Sequence, residues 1–122
     1  MTYGLDPRAD VWASDIVGLG LDGIRFQLHY EREVLHLRFP MLGRHSVHTA
    51  LRAGAVGLAE GLTWQEIVGG LQGIEARSQL RLYAVTGPGG SLILDDSYNA
   101  SPESMIAALN LLKEMDARRR VA

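Results

Sequence analysis

The spacing of apolar residues changes period several times along the chain, and each change marks an element. Residues 1–20 show no sustained period and read as loop with one short extended piece; Asp6-Pro7 marks a turn. From Ile24 the pattern alternates strictly. Ile24, Phe26, Leu28 and Tyr30 fall on one face and Arg25, Gln27 and His29 on the other, the period-two mark of a half-buried strand. Glu31-Arg32-Glu33 supplies a short turn. Leu35, Leu37 and Phe39 then alternate again with His36 and Arg38 outward, so the two runs predict an antiparallel hairpin, with Pro40 at its end or edge.

Between His45 and Glu60 the period becomes helical. Val47, Leu51, Ala55 and Leu58 recur at spacings of three and four, while Ala50, Ala53, Gly54, Gly57 and Ala59 are small. Glycine weakens an isolated helix, so this one is expected to gain from a close neighbour. Gly61 is a natural stop. Thr63-Trp64-Gln65-Glu66 has the form of a capping box and opens a second, short helix with Trp64, Ile67, Val68 and Leu71 on its apolar face. Residues 74–79 interrupt the pattern and form the expected boundary. Beyond them Leu80, Leu82 and Ala84 lead to a glycine-rich turn, Gly87-Pro88-Gly89-Gly90, and Leu92-Ile93-Leu94 lead back. Ser101-Pro102 opens a last helix, Ser as N-cap and Pro at the first position, with Met105, Leu109 and Leu112 as its expected core face. The order β-β-α-α, then β-β-α and the start of a strand at Val121-Ala122, predicts a mixed α/β chain with an α+β layout.

Composition narrows the function. A formal net charge of −2 leaves no electrostatic case for nucleic acid, and Arg118-Arg119-Arg120 reads as a basic helix C-terminus. Without cysteine there are no disulfides, thiolate metal sites or cysteine nucleophiles. No apolar run approaches the roughly 20 residues of a membrane span, and no signal peptide opens the chain; a cytoplasmic setting is expected. His29 and His36 can approach across the hairpin, but two exposed histidines fall short of the three or four ligands of a stable metal site. The turn at 87–90 lacks the Lys-Ser/Thr ending of a phosphate-binding loop.

Two stretches hold candidate chemistry. Gly43-Arg44-His45-Ser46-Val47-His48-Thr49-Ala50 lies where a strand gives way to a helix. Its free amides favour an acceptor or anion, or else His45 and Ser46 cap the helix and His48 is surface. Asp95-Asp96-Ser97-Tyr98-Asn99-Ala100-Ser101-Pro102 lies between an apolar strand and a capped helix. Adjacent acids repel, and a carboxylate at a strand end can accept both hydroxyls of a ribose; the same residues also suit an Asx turn followed by an N-cap.

Together the two stretches resemble the Mur ligase family, and within it the D-alanyl-D-alanine-adding branch. Members carry Gly-Arg/Lys/Asn-His-Asn-x-x-Asn-Ala at a helix start and Asp-Asp-Ser-Tyr-Asn-Ala-Asn-Pro-x-Ser-Met further on. Here these read Gly43 to Ala50 and Asp95 to Met105, and the Ser97-Tyr98-Asn99 core differs from the Asp-Tyr-x-His of sister ligases. Thr2-Tyr3-Gly4-Leu5 and Ala9-Asp10-Val11-Trp12-Ala13 also look like the family's central domain. The resemblance spans essentially the whole chain. It implies an internal fragment in which residues 1–76 close a P-loop ATPase domain with a β-hairpin and two helices. Residues 77–122 then open a Rossmann-like C-terminal domain, and both ends look cut.

The implied activity is ATP-dependent amide ligation in peptidoglycan synthesis, hence in cell wall biogenesis, cell shape and cell division. ATP and Mg2+ are the implied cofactors of the parent enzyme, and a UDP-muramoyl peptide and D-alanyl-D-alanine its partners. Neither nucleic acid nor a membrane is implied. The fragment alone is expected to be inactive and to bind no cofactor tightly. By the same resemblance Arg44, His45, Ser46, Thr49, Asp96, Tyr98 and Asn99 form part of the nucleotide site, with Arg81 a further candidate. No residue here is implied to be catalytic or a metal ligand. Thr49 stands where the family places Asn against adenine, Ser46 replaces another Asn, and Ser78-Gln79-Leu80-Arg81 replaces Gly-Arg-Leu. Other Mur-type ligases, including the one adding a diamino acid, and folylpolyglutamate synthetases are same-class alternatives; a non-catalytic binding module is the alternative of another class. In the family the hairpin and helices pack on a large P-loop sheet. Without it the Ile24/Phe26/Leu28 and Leu35/Leu37/Phe39 faces, or the small face of the 45–60 helix, are expected to lack cover and to drive a two-fold homodimer.

Overall fold

The computed structural model describes residues 1–74 and 82–122. The expected boundary near residues 76–77, Leu80 and Arg81 lie outside the described residues. Four strands form one sheet in chain order: β1 (Tyr3–Gly4), β2 (Val11–Gly18), β3 (Ile24–Tyr30) and β4 (Glu33–Phe39). β1 runs parallel to β2, and the remaining pairs are antiparallel. The β3–β4 hairpin is the one expected from the alternation, in register from Ile24↔Phe39 to Tyr30↔Glu33 around a two-residue turn.

The first twenty residues are more ordered than their pattern suggested. β2 is an eight-residue strand with Val11 and Ala13 buried and Trp12 and Ser14 half-buried on the other face. Its alternation is weak because small and polar residues fill it. It is also broken by an irregularity between Ser14 and Val17, where Asp15 takes φ 50°.

Two helices cover one face of this sheet: α1 (Val47–Ala59) and α2 (Trp64–Gln72). Ile24, Phe26, Leu28, Leu37 and Phe39 from the hairpin meet Val47, Ala50, Leu51 and Ala55 from α1 and Ile67 and Leu71 from α2 in one core. The hairpin face expected to be bare is therefore covered from within the chain, which removes the stated reason for a homodimer through it. The small residues of α1 explain how. Gly54 and Gly57 are buried, and a Cβ on Gly57 would stand 3.0 Å from Ile67 Cγ1, so the helix lies so close to α2 that a side chain there would require Ile67 to shift. The capping box of α2 forms as expected. The Thr63 hydroxyl at 2.7 Å and then the Thr63 amide at 2.8 Å donate to the Glu66 carboxylate and hold that carboxyl below its ordinary pKa, and the Glu66 amide reaches the Thr63 hydroxyl oxygen at 3.4 Å.

The second unit comprises β5 (Tyr83–Thr86), β6 (Leu92–Asp95) and α3 (Pro102–Glu114). The antiparallel pair turns at Pro88–Gly90, where the Gly87 amide donates to the Ser91 carbonyl at 2.7 Å. Ser101 caps α3 as expected, reciprocated by Ser104. The core face of α3 differs from expectation. Leu111 is the buried residue, while Met105 and Leu109 are 47% and 45% exposed and Leu112 is half-buried. Met105, Leu109 and Leu112 instead line an open groove of about 700 Å³ with Leu92 to Leu94. A two-stranded hairpin and one helix are too little to close an apolar layer. Arg120 folds back and its Nε donates to the Leu112 carbonyl at 3.0 Å, so the basic run serves the helix C-terminus through a residue beyond it. Val121–Ala122 is coil and not a strand, since nothing pairs with it among the described residues.

Stability should follow this division. Leu51 is fully buried between sheet and helices, so Leu51→Ala is expected to cost about 2–5 kcal/mol. The half-exposed Leu109→Ala should cost about 1 kcal/mol or less. Urea denaturation of the two variants compares them directly.

Candidate functional site

The first stretch begins with a glycine that the turn requires. Gly43 has φ 79°, and a Cβ on it would lie 2.5 Å from His45 Cε1, so the His45 ring folds back over the Gly43 backbone. Residues Arg44–Ser46 form one 3₁₀ turn that leads into α1 at Val47. Ser46 does not cap the helix with its side chain. It is buried, and its hydroxyl donates to the carbonyls of Gly43 at 2.7 Å and Met41 at 3.2 Å, which holds the turn closed. Arg44, His45, His48 and Thr49 are exposed. The same side of α1 continues to Arg52, whose Nε donates to the Tyr3 hydroxyl at 3.2 Å.

The second stretch follows β6. Asp95 ends the strand and its carboxylate accepts the Tyr83 hydroxyl and the Ser97 amide, each at 2.9 Å. The bonds from Ser97 and then Tyr83 hold the carboxyl below its ordinary pKa. Asp96 turns the other way, half-buried, and its Oδ1 accepts the Leu82 amide at 3.1 Å. The two adjacent acids thus have separate partners, and the repulsion expected between them is offset by hydrogen bonds. Asn99 Oδ1 accepts the Ala100 amide at 2.8 Å, and Tyr98 stands 65% exposed.

The fold brings the two stretches together. Leu82, whose amide holds Asp96, is buried against the Gly43 turn, with its Cδ2 3.6 Å from where a Gly43 Cβ would be. Asp96 acts electrostatically on His45. Although His45 is exposed at its edge, partial desolvation of the ring where it folds over the Gly43 backbone is the largest effect on it and lowers its pKa; the charge of Asp96 opposes this, and His48 adds to it. Beside them a cleft of about 470 Å³ runs between Arg44 and His45 on one wall and Glu103, Asn110, Leu111 and Glu114 of α3 on the other. Chemically the arrangement offers one carboxylate whose second oxygen takes no hydrogen bond from the described residues, an imidazole whose pKa is lowered by desolvation, and a guanidinium. It can accept hydroxyls and bind a polar ligand.

The residues that sequence reasoning passed over are Leu82 and Tyr83, which hold the two acids. Neither carries a signal of its own, because the strand pairing that places them spans more than ten residues. His29 does not approach His36 as a ligand pair. Its ring stacks on Trp12 at 3.7 Å between centroids, and the Ser14 hydroxyl lies 2.8 Å from its Nε2. Among the described residues no group of histidines and carboxylates is arranged to hold a metal ion, and no helix is long and apolar enough to cross a membrane.

Comparison with known proteins places this arrangement in a family. No family model matches the chain. A relative from Mycobacterium tuberculosis, UDP-N-acetylmuramoyl-tripeptide–D-alanyl-D-alanine ligase, is 35% identical over 107 residues, 88% of this chain and 21% of its own. A UDP-N-acetylmuramate–L-alanine ligase from Chlorobium phaeobacteroides is 39% identical over 112 residues, 88% of this chain and 23% of its own. A crystal structure of MurF from Acinetobacter baumannii superposes with a TM-score of 0.84 at 34% identity, covering 95% of this chain and 24% of that one. The chain belongs to the Mur ligase family. Within that family, the relatives from Mycobacterium, Haemophilus, Escherichia and Bacillus all bear the name UDP-N-acetylmuramoyl-tripeptide–D-alanyl-D-alanine ligase, the enzyme called MurF in the Acinetobacter structure. The chain spans between a fifth and a quarter of the length of the relatives it matches.

The His45 environment gives a signed expectation. Because its folded pKa is depressed, its contribution to stability is fully present above the unfolded value, 6.5, and is lost as pH falls through the folded one. In an NMR titration Asp96→Asn should lower the His45 pKa further, and His48→Gln should raise it. An unchanged value in Asp96→Asn would place the two stretches apart.

Proposed function

We propose that this chain supplies the adenosine-side edge of an ATP site in a cytoplasmic ligase that adds D-alanyl-D-alanine to a UDP-N-acetylmuramoyl peptide in peptidoglycan synthesis. The observation that carries this reading is the meeting of the Gly43–Ala50 turn with Asp96, two stretches that share no strand and no helix. A nucleoside lying across that meeting point would find the open edge of the Asp96 carboxylate for its ribose hydroxyls. Arg44, His45 and Thr49 would line one side, and Tyr98 and Asn99 the other. Ser46 holds the turn through its two carbonyl contacts and has its proton committed there. Arg81 keeps its place as a further candidate.

In the proposed reaction the terminal carboxylate of the muramoyl peptide takes the γ-phosphoryl group of ATP, and ADP departs. The amine of D-alanyl-D-alanine attacks the acyl phosphate carbon, loses a proton and forms the amide as inorganic phosphate leaves. The sequence carries no glycine-rich loop ending in Lys-Ser/Thr for the first step. Its only lysine, Lys113, sits in the last turn of α3 and follows no glycine-rich loop. The proposal therefore assigns the phosphates, Mg2+ and the peptide substrates to parts of a longer ligase, in line with the small share of its relatives that the chain covers. A second reading, another Mur-type ligase, draws on the 39% identity to the L-alanine-adding enzyme; the Ser97-Tyr98-Asn99 core favours the first.

The test uses the chain as it stands. Millimolar ATP should shift the amide resonances of residues 44–49 and 96–99 together, while phosphate release stays at the buffer rate, since phosphoryl transfer needs positioned phosphate ligands and metal. Shifts confined to one stretch, or hydrolysis that Asp96→Ala abolishes, would contradict the proposal.

A further inference from the structure

The two acids after β6 divide their labour, and the division is set by a residue on the opposite strand. Tyr83 and Asp95 are direct partners across the β5–β6 ladder. The Tyr83 hydroxyl donates to Asp95 Oδ2, while Asp95 Oδ1 accepts the Ser97 amide, both at 2.9 Å. One carboxylate thereby ties the strand before it to the backbone just past Asp96. The neighbouring residue on β5's side does the same for Asp96, through the Leu82 amide at 3.1 Å. Successive residues of an extended chain point to opposite faces, so fixing Asp95 against Tyr83 sends Asp96 toward the Gly43 turn. Past Ser97, Asn99 Oδ1 accepts the Ala100 amide and Ser101 and Ser104 form the helix cap. The Tyr83–Asp95–Ser97 chain is a cross-strand contact at the point where the loop leaves the sheet.

We infer that Tyr83 is a positioning residue for the loop that presents Asp96 and Asn99, acting through Asp95. The inference rests on the nucleotide reading of that loop. Tyr83 touches no ligand itself; its hydroxyl orients the carboxylate that holds the Ser97 amide. The same bond raises the Tyr83 phenol above its ordinary pKa, through hydrogen bonding to Asp95 first and the charge of Asp95 second.

The experiment compares the wild-type chain with Tyr83→Phe and Asp95→Asn by amide hydrogen exchange and by ATP titration. Tyr83→Phe should keep the β5–β6 ladder and speed exchange of the Ser97 amide about fivefold, the scale of one net hydrogen bond. The ATP response of Asp96 and Asn99 should shrink by a similar factor, with that of residues 44–49 retained. Asp95→Asn approaches the same contact from its other end. It should reproduce the loss and bring the Tyr83 ring titration back toward the ordinary tyrosine value, a change that mere loosening of the hairpin would not produce. Ser97 exchange and ATP response at wild-type levels in either variant would overturn the inference. If the wild-type chain shows no ATP response at any residue, the nucleotide reading falls, and Ser97 exchange in the two variants alone decides whether Tyr83 positions the loop.

Discussion

Burial of one face of the four-stranded sheet is the constraint on which the rest of this structure depends. Val11, Ile24, Phe26, Leu28, Leu37 and Phe39 leave water together only if a helix lies across them, and α1 does so with Val47, Ala50, Leu51 and Ala55. Once α1 is pinned there, its start is pinned too. The chain must leave β4 at Phe39, pass the Met41 carbonyl and reach Val47 within a single tight turn. Gly43 with its positive φ and Ser46 with its two carbonyl contacts make that turn possible. Arg44 is exposed on it, and the His45 ring folds back over the Gly43 backbone. The candidate site is in this sense a by-product of core packing: the apolar face fixes the helix, the helix fixes the turn, and the turn presents the polar groups.

The second unit depends on the first more than its own core would suggest. β5, β6 and α3 enclose little apolar volume, and the buried residues of this unit among those described are Leu111 and, just before β5, Leu82. Leu82 packs against the Gly43 turn, and Leu111 lies on the α3 wall of the cleft opposite Arg44 and His45. Near the far end of α3 a Cβ on Gly18 would stand 3.0 Å from a Glu114 carboxylate oxygen, so the helix also closes on the end of β2. Both leucines are buried where the two units meet, and this is where Asp96 approaches His45. The joint and the candidate site occupy one place.

Much of this was legible in the sequence, and what escaped did so for physical reasons. The β3–β4 hairpin, both N-caps and the turn at 87–90 were readable because strict alternation and capping residues are local signals. The small residues of α1 correctly announced a close neighbour. β2 was read only as one short extended piece because Ala13, Ser14 and Asp15 carry no apolar alternation and an irregularity breaks the register. The face of α3 was misassigned because periodicity gives two plausible apolar stripes, and only the position of the first unit selects Leu111. The hairpin was expected to lie bare because its cover was sought in a missing sheet, whereas α1 and α2 already provide it. At the site, the motif residues were visible but their supports were not: Leu82 and Tyr83 act through strand pairing and one tertiary contact.

The claim at the centre of this account is that the Gly43 turn and the Asp96 loop form one place. The most direct measurement is a nuclear Overhauser contact between the Gly43 α-protons and the Leu82 δ-methyls. The account predicts a clear cross-peak, because Leu82 Cδ2 lies 3.6 Å from the position a Gly43 Cβ would take. Its absence, in a sample where contacts from Gly54 to the Leu28 methyls are present, would mean that the first unit folds as described while the second stands away from it, and the single site would not exist.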